Sequence, residues 1–113
     1  NDFNRFDLIL QELKPIMSES KYFALSSTVY GNAAVRLVKK DCAYQAYKVC
    51  TKGLAVVKSS MLVQNYIYCL NEVLKESYKV GDRQKMESLF FAAETLLPNN
   101  KNLLNMKNNY LNR

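Results

Sequence analysis

Histidine and tryptophan are absent from this chain, and glycine and proline are scarce, with three and two copies. The missing histidine removes the side chain that most often serves as a general base near neutral pH, and a common metal ligand. No GxSxG, P-loop, GxGxxG or HExxH pattern occurs, and Gly31, Gly53 and Gly81 stand too far apart to cradle a phosphate. The cysteines, Cys42, Cys50 and Cys69, are odd in number and include no CxxC pair. A zinc site would need all three thiolates and a carboxylate. Glu72 and Glu76 share a helix face, but Lys75 and Lys79 interleave with them as a solvated charge network. No run approaches the about 18 consecutive apolar residues of a membrane span, and no signal-peptide pattern is visible. Neither catalysis, a metal, a cofactor nor a membrane partner is expected.

What is present is a chain of 113 residues, 49% of them hydrophobic, enough for one domain with a real core. So few breakers in such a chain favour long helices over a sandwich or barrel. The net charge is +6, from 16 basic and 10 acidic side chains, but no basic run exceeds Lys39-Lys40. A nucleic-acid footprint is normally clustered, so this reads as a mildly basic, solvated surface. The cysteines fall at apolar helical positions, where thiols behave as small core hydrophobes and suit a reducing cytoplasm. The chain opens on Asn rather than Met, and we expect it to be part of a longer protein.

A faint self-similarity recurs every 40 residues. Asp2, Cys42 and Asp82 each open one pattern, followed by Phe6, Ala46 and Met86, then Leu10, Cys50 and Phe90, then Leu13, Gly53 and Ala93, then Ile16, Val56 and Leu96. Periods of about 20–50 residues mark solenoids, whose units bury their apolar faces by stacking. The expected fold is all-α, a right-handed superhelical stack of antiparallel helical hairpins with about six helices. Apolar spacing of three and four places the first helix from Asp2 or Asn4 to Lys14, with Asp2 as N-cap and Phe3, Phe6, Ile9, Leu10 and Leu13 on one face. That face is expected to pair with a helix upstream of Asn1. Pro15 and Ser18-Glu19-Ser20 read as a loop.

The second helix is expected over Lys21–Lys40, facing inward through Phe23, Tyr30, Ala33, Ala34, Leu37 and Val38. Asp41 then starts a third over Cys42–Lys58, with Tyr47, Cys50, Leu54 and Val57. The fourth, Met61–Val80, carries Val63, Ile67, Leu70, Val73, Leu74 and Tyr78. Gly81-Asp82 stops it and caps a fifth, Arg83–Leu97, with Met86, Leu89, Phe90, Ala93, Leu96 and Leu97. After Pro98-Asn99-Asn100 a last helix, Lys101–Leu111, carries Leu103, Leu104, Met106, Tyr110 and Leu111. With so few apolar residues it reads as a terminal cap or an interface helix, through which a homodimer could form.

The stretch from Tyr78 to Asn100 resembles the second half of a tetratricopeptide repeat. The family's turn, small residue, aromatic, Ala and closing Pro-Asn-Asn match Gly81-Asp82, Met86, Phe90, Ala93 and Pro98-Asn99-Asn100. Tyr30-Gly31-Asn32-Ala33 looks like the family's Leu-Gly-Asn-Ala. Met86 replaces the usual Ala, Leu74 the usual contact Gly, and the unit exceeds the family's about 34 residues. Longer, degenerate repeats of this style are also found in the sensor halves of peptide-responsive regulators of the Rgg/GadR/MutR type. That resemblance implies a sensor and dimerisation domain that reaches DNA only through a missing N-terminal domain.

In such a stack the first helix of each hairpin lines a concave surface that takes extended peptides. The second helix would offer Leu25, Thr28, Asn32, Val35, Arg36 and Lys39, and the fourth Tyr68, Asn71, Glu72, Lys75 and Lys79. Asn32 and Asn71 can both give and accept backbone hydrogen bonds, while Arg36, Lys39 and Lys75 suit a carboxylate. Among eight tyrosines, Tyr68 is the expected ligand contact. The expected function is non-catalytic binding of a peptide or protein in this groove. The alternative is a scaffold module mediating assembly.

Overall fold

A computed structural model describes residues 2–112, with side chains from Asn4 onward. The expected cap at Asp2 and the apolar position Phe3 therefore lie outside the described side chains. The described residues are all-helical and form six α-helices without a strand: α1 Asp2–Leu13, α2 Glu19–Lys39, α3 Ala43–Val56, α4 Ser60–Lys79, α5 Arg83–Leu96 and α6 Lys101–Leu111. Instead of a loop at Pro15, a single 3-10 turn over Lys14–Ile16 follows α1, with Pro15 at its start, where a missing N–H costs nothing.

Helix ends recur at spacings of 40 or 41 residues. Ser18, Ser59 and Asn100, 41 residues apart each time, are the N-caps of α2, α4 and α6, and each side-chain oxygen accepts a backbone N–H of the first turn. Because Ser18 caps, α2 begins at Glu19, two residues earlier than the apolar spacing alone suggests. At the other ends, Asp41 (φ 58°) and Gly81 (φ 71°) both take the left-handed conformation. Cys42 N–H reaches Leu37 O at 2.8 Å, and Asp82 N–H reaches Ser77 O at 2.9 Å. The same C-terminal closure thus ends α2 and α4. Asp41 is the turn residue rather than the start of α3.

Connections 40–42, 57–59 and 80–82 are three residues long and 97–100 four, so each helix folds back on its predecessor. α4 also touches α2 and α6, skipping the helix between in each case. The backbone extends 50 × 30 × 18 Å. Its thin dimension is that of two stacked helix layers.

Leu54, Leu62, Tyr66, Leu70, Leu74, Phe90 and Leu103 are the large side chains most completely buried at the centre. At Gly53 a Cβ would stand 2.9 Å from Tyr30 Cβ, which shows how closely α3 crosses α2. The inward faces of α3 and α5 are as expected, except that Val57 and Leu96 are only half-buried. On α4 Leu70, Val73 and Leu74 are buried as expected, and the difference lies toward the two ends of the helix. Leu62, Tyr66 and Cys69 are buried, while Val63 and Ile67 sit at the margin of the core and Tyr78 is exposed. On α2 Tyr22, Ser26, Tyr30 and Ala34 are buried, and Phe23, Ala33, Leu37 and Val38 only partly. Cys50 and Cys69 are buried, but Cys42 is half-exposed at the α3 N-cap. Along α1, Leu10 is buried and Leu13 half-buried, whereas Phe6, Leu8 and Ile9 face outward.

Candidate functional site

Two concavities flank α2, one on each side. The first lies between α2 and α4. It is a groove of about 200 Å3 lined by Ala34, Val35, Val38, Lys39, Asn65, Tyr68 and Cys69. Residues 34, 35, 38 and 39 share one face of α2, and 65, 68 and 69 share one face of α4, as helical periodicity requires. Ala34 and Cys69 are small and buried, so they form the floor. Val35 and Tyr68 rise from it with 41% and 54% of their surface exposed. Lys39, in the last turn of α2, and Asn65 add the polar groups.

The second concavity, about 670 Å3, lies between α1, α2 and α3. Arg36 lines it from α2 and Lys40 from the C-cap just beyond it, and Lys48 and Lys52 line it from α3. Asn32 and Gln45 add amides, and Phe6, Val29, Ala33, Leu37 and Val49 are its apolar lining. At the α1 side Tyr30 Oη donates to Asp7 Oδ1 at 2.6 Å, and Lys52 Nζ donates to Asp7 Oδ2 at 3.2 Å. The Tyr30 hydrogen bond holds the Asp7 carboxyl below its ordinary range, against an opposing effect of burial and with help from Lys52. Burial, then the Asp7 charge, pushes the Tyr30 phenol well up.

The six residues expected to bind peptide are thus divided. Lys39 and Tyr68 both line the α2/α4 groove. Asn32 and Arg36 line the other side of α2. Asn71 accepts the Tyr110 hydroxyl at 2.7 Å, so its side chain is engaged in fastening α6 to α4. Lys75 pairs with Glu72 Oε2 at 2.8 Å, and the carboxylate raises its pKa.

On α6, Leu103 and Leu111 are spent in the chain's own core, with 2% and 7% of their surface exposed. Met106 and Tyr110 lie half-buried against it, Tyr110 with its ring beside Tyr78 and Phe90. Of the five expected interface residues, Leu104 alone stands out, 60% exposed.

Sequence reasoning missed Asn65 in the groove and assigned Val38 to the core. It also missed Lys40, Gln45, Lys48 and Lys52 in the basic cleft. A signal for the latter existed, since Gln45, Lys48 and Lys52 form a polar stripe at spacings of three and four on one helix. Comparison of the chain with known protein families, with curated proteins and with solved structures finds no match. Among the described residues no helix is long and apolar enough to cross a membrane.

Proposed function

We propose that this chain is a non-catalytic binding domain, a right-handed tetratricopeptide-like superhelix that holds an extended peptide between α2 and α4. The observation that carries this reading is Tyr68 rising, half-exposed, across a small-residue floor from Val35. An aromatic ring with a polar tip beside an apolar trough is the usual anchor of a peptide groove. Lys39 and Asn65 at the same groove offer a charge and an amide to backbone carbonyls and carboxylates. The recurring caps of α2, α4 and α6 support a repeat architecture. In its sharper form the reading makes this the sensing and dimerisation half of a cytoplasmic, peptide-responsive bacterial transcriptional regulator. DNA would then be contacted by a separate domain.

The test is to pan a library of random displayed dodecapeptides on the chain and to measure the recovered peptides by fluorescence polarisation. Tyr68→Ala and Val35→Asp are expected to weaken them about tenfold or more, because hot spots are buried aromatic and apolar anchors. Both variants should keep the helical spectrum, since both positions are largely exposed. Recovered peptides that bind the two variants as tightly as the parent would overturn the reading.

A scaffold role is the second reading. Phe91 on α5 and Leu104 on α6 are 76% and 60% exposed, large apolar side chains available to another subunit or to a second copy.

A further inference from the structure

We infer that the cleft between α1, α2 and α3 is a second binding site, separate from the α2/α4 groove, for an extended acidic peptide segment with apolar residues at alternate positions. Its walls carry Arg36, Lys40, Lys48 and Lys52, and among the described residues none that lines it is acidic. Charge complementarity therefore selects an anionic occupant. Asp7, the carboxylate near the α1 side, is already held by Tyr30 and Lys52, so it does not oppose that occupant as a free charge.

Spacing narrows the choice. Arg36 and Lys40, the C-cap of α2, are four residues apart, as are Lys48 and Lys52 on α3, which is about 6 Å along a helix axis. Alternate residues of an extended peptide recur at about 6.6–6.8 Å on one side. Arg36 and Lys40, with Lys48 on the α3 side, match carboxylates at every second residue, while Lys52 is engaged by Asp7. The residues between those carboxylates point the opposite way, toward Val29, Ala33, Leu37 and Val49. Long basic side chains lay their methylene stems along the walls and hold their charges at the rim. Asn32 and Gln45 bring amides, the groups that bond a peptide backbone. A nucleic-acid strand would also match the charge. Its sugar-phosphate backbone is polar throughout, however, and makes poor use of a floor that is aliphatic among the described residues apart from Phe6.

The experiment uses the whole chain and a fluorescein-labelled octapeptide with Glu at alternate positions and Leu or Ser between them. The expected results are saturable binding that weakens with added salt, and a loss of about tenfold in affinity for Arg36→Glu and for Lys48→Glu. Lys101→Glu makes the same charge change on remote α6 and should shift affinity by less than about twofold. The same peptide with Gln for Glu should fail to compete. Circular dichroism checks that each variant keeps its helices, and both cleft positions are exposed, so substitution there spares the core. Equal weakening by Lys101→Glu would show attraction to net charge alone and would overturn the assignment. So would displacement by oligothymidylate as effectively as by unlabelled peptide, which would reassign the cleft to nucleic acid. Unchanged affinity in both Arg36→Glu and Lys48→Glu would overturn it too. None of these outcomes touches Tyr68 or Val35, so the α2/α4 reading stands or falls by its own test.

Discussion

Tyr110 on α6 donates its hydroxyl to Asn71 Oδ1 on α4 across 2.7 Å. This bond joins helices that are not consecutive in the chain, and it uses a residue whose position on a first helix of a hairpin suggests a ligand contact. Its consequence is that Asn71→Ala is expected to destabilise the domain rather than remove a ligand contact. Tyr110→Phe and Asn71→Ala should each cost about 1 kcal/mol in urea unfolding, and the double variant should cost less than their sum. Additive losses would show that the two side chains do not act together.

Asp7 ties α1 to α2 and α3, and its folded pKa is lowered, first by Tyr30 and then by Lys52. A depressed carboxylate contributes stability above its unfolded pKa of about 3.9, and the contribution is lost as pH falls through the lower folded value. Parent and Asp7→Asn should therefore differ most in stability above about pH 5 and converge toward pH 2. Tyr30 acts at the opposite end. Its raised pKa favours the folded state below about pH 10, and that advantage declines in stronger alkali. Parallel stability curves for parent and Asp7→Asn across the acid range would contradict the assignment.

The turns after α2 and α4 have the same backbone closure with different residues. Gly81 takes its left-handed conformation without a Cβ penalty, whereas Asp41 bears one. Asp41→Gly is expected to raise stability by about 0.5–1 kcal/mol. Thermal or urea unfolding reads it directly, and a loss of stability would mean that the Asp41 side chain makes a compensating interaction.

Thiol chemistry separates the three cysteines. Burial and the contact with Cys69 push the Cys50 thiol up, the contact being the larger cause. Cys42 is partly exposed, and its thiol donates to Lys40 O at 3.4 Å. Iodoacetamide should label Cys42 first and reach Cys50 and Cys69 only on global opening. Mass spectrometry that finds Cys50 labelled as fast as Cys42 in the folded chain would refute this packing.

Helix α5 was legible because its apolar residues keep strict spacing and Asp82 and Pro98 bound it. On α4 Leu70, Val73 and Leu74 were legible as core, but the buried positions nearer its start were not. The β-branched Val63 and Ile67 carry the stronger hydrophobic signal, yet Tyr66 and Cys69, amphipathic types, take the buried positions. A tyrosine fills a core when its hydroxyl finds a partner, and Tyr66 reaches the Tyr47 hydroxyl at 3.4 Å. The site was harder to read for a geometric reason. Periodicity separates buried from exposed faces of α2, but it does not say which flank meets α4 and which meets α1 and α3. Lys39 lies on the first flank, while Asn32 and Arg36 lie on the second. Only the crossing of helices decides between flanks.

The most direct test of the central claim is a titration of the isotope-labelled chain with the tightest library peptide, followed by amide chemical shifts. The account predicts that the largest shifts cluster at Val35, Val38, Lys39, Asn65 and Tyr68, lining the α2/α4 groove. Shifts confined to Phe91, Leu104 and their neighbours on α5 and α6 would contradict it and would identify the outer face as the binding surface.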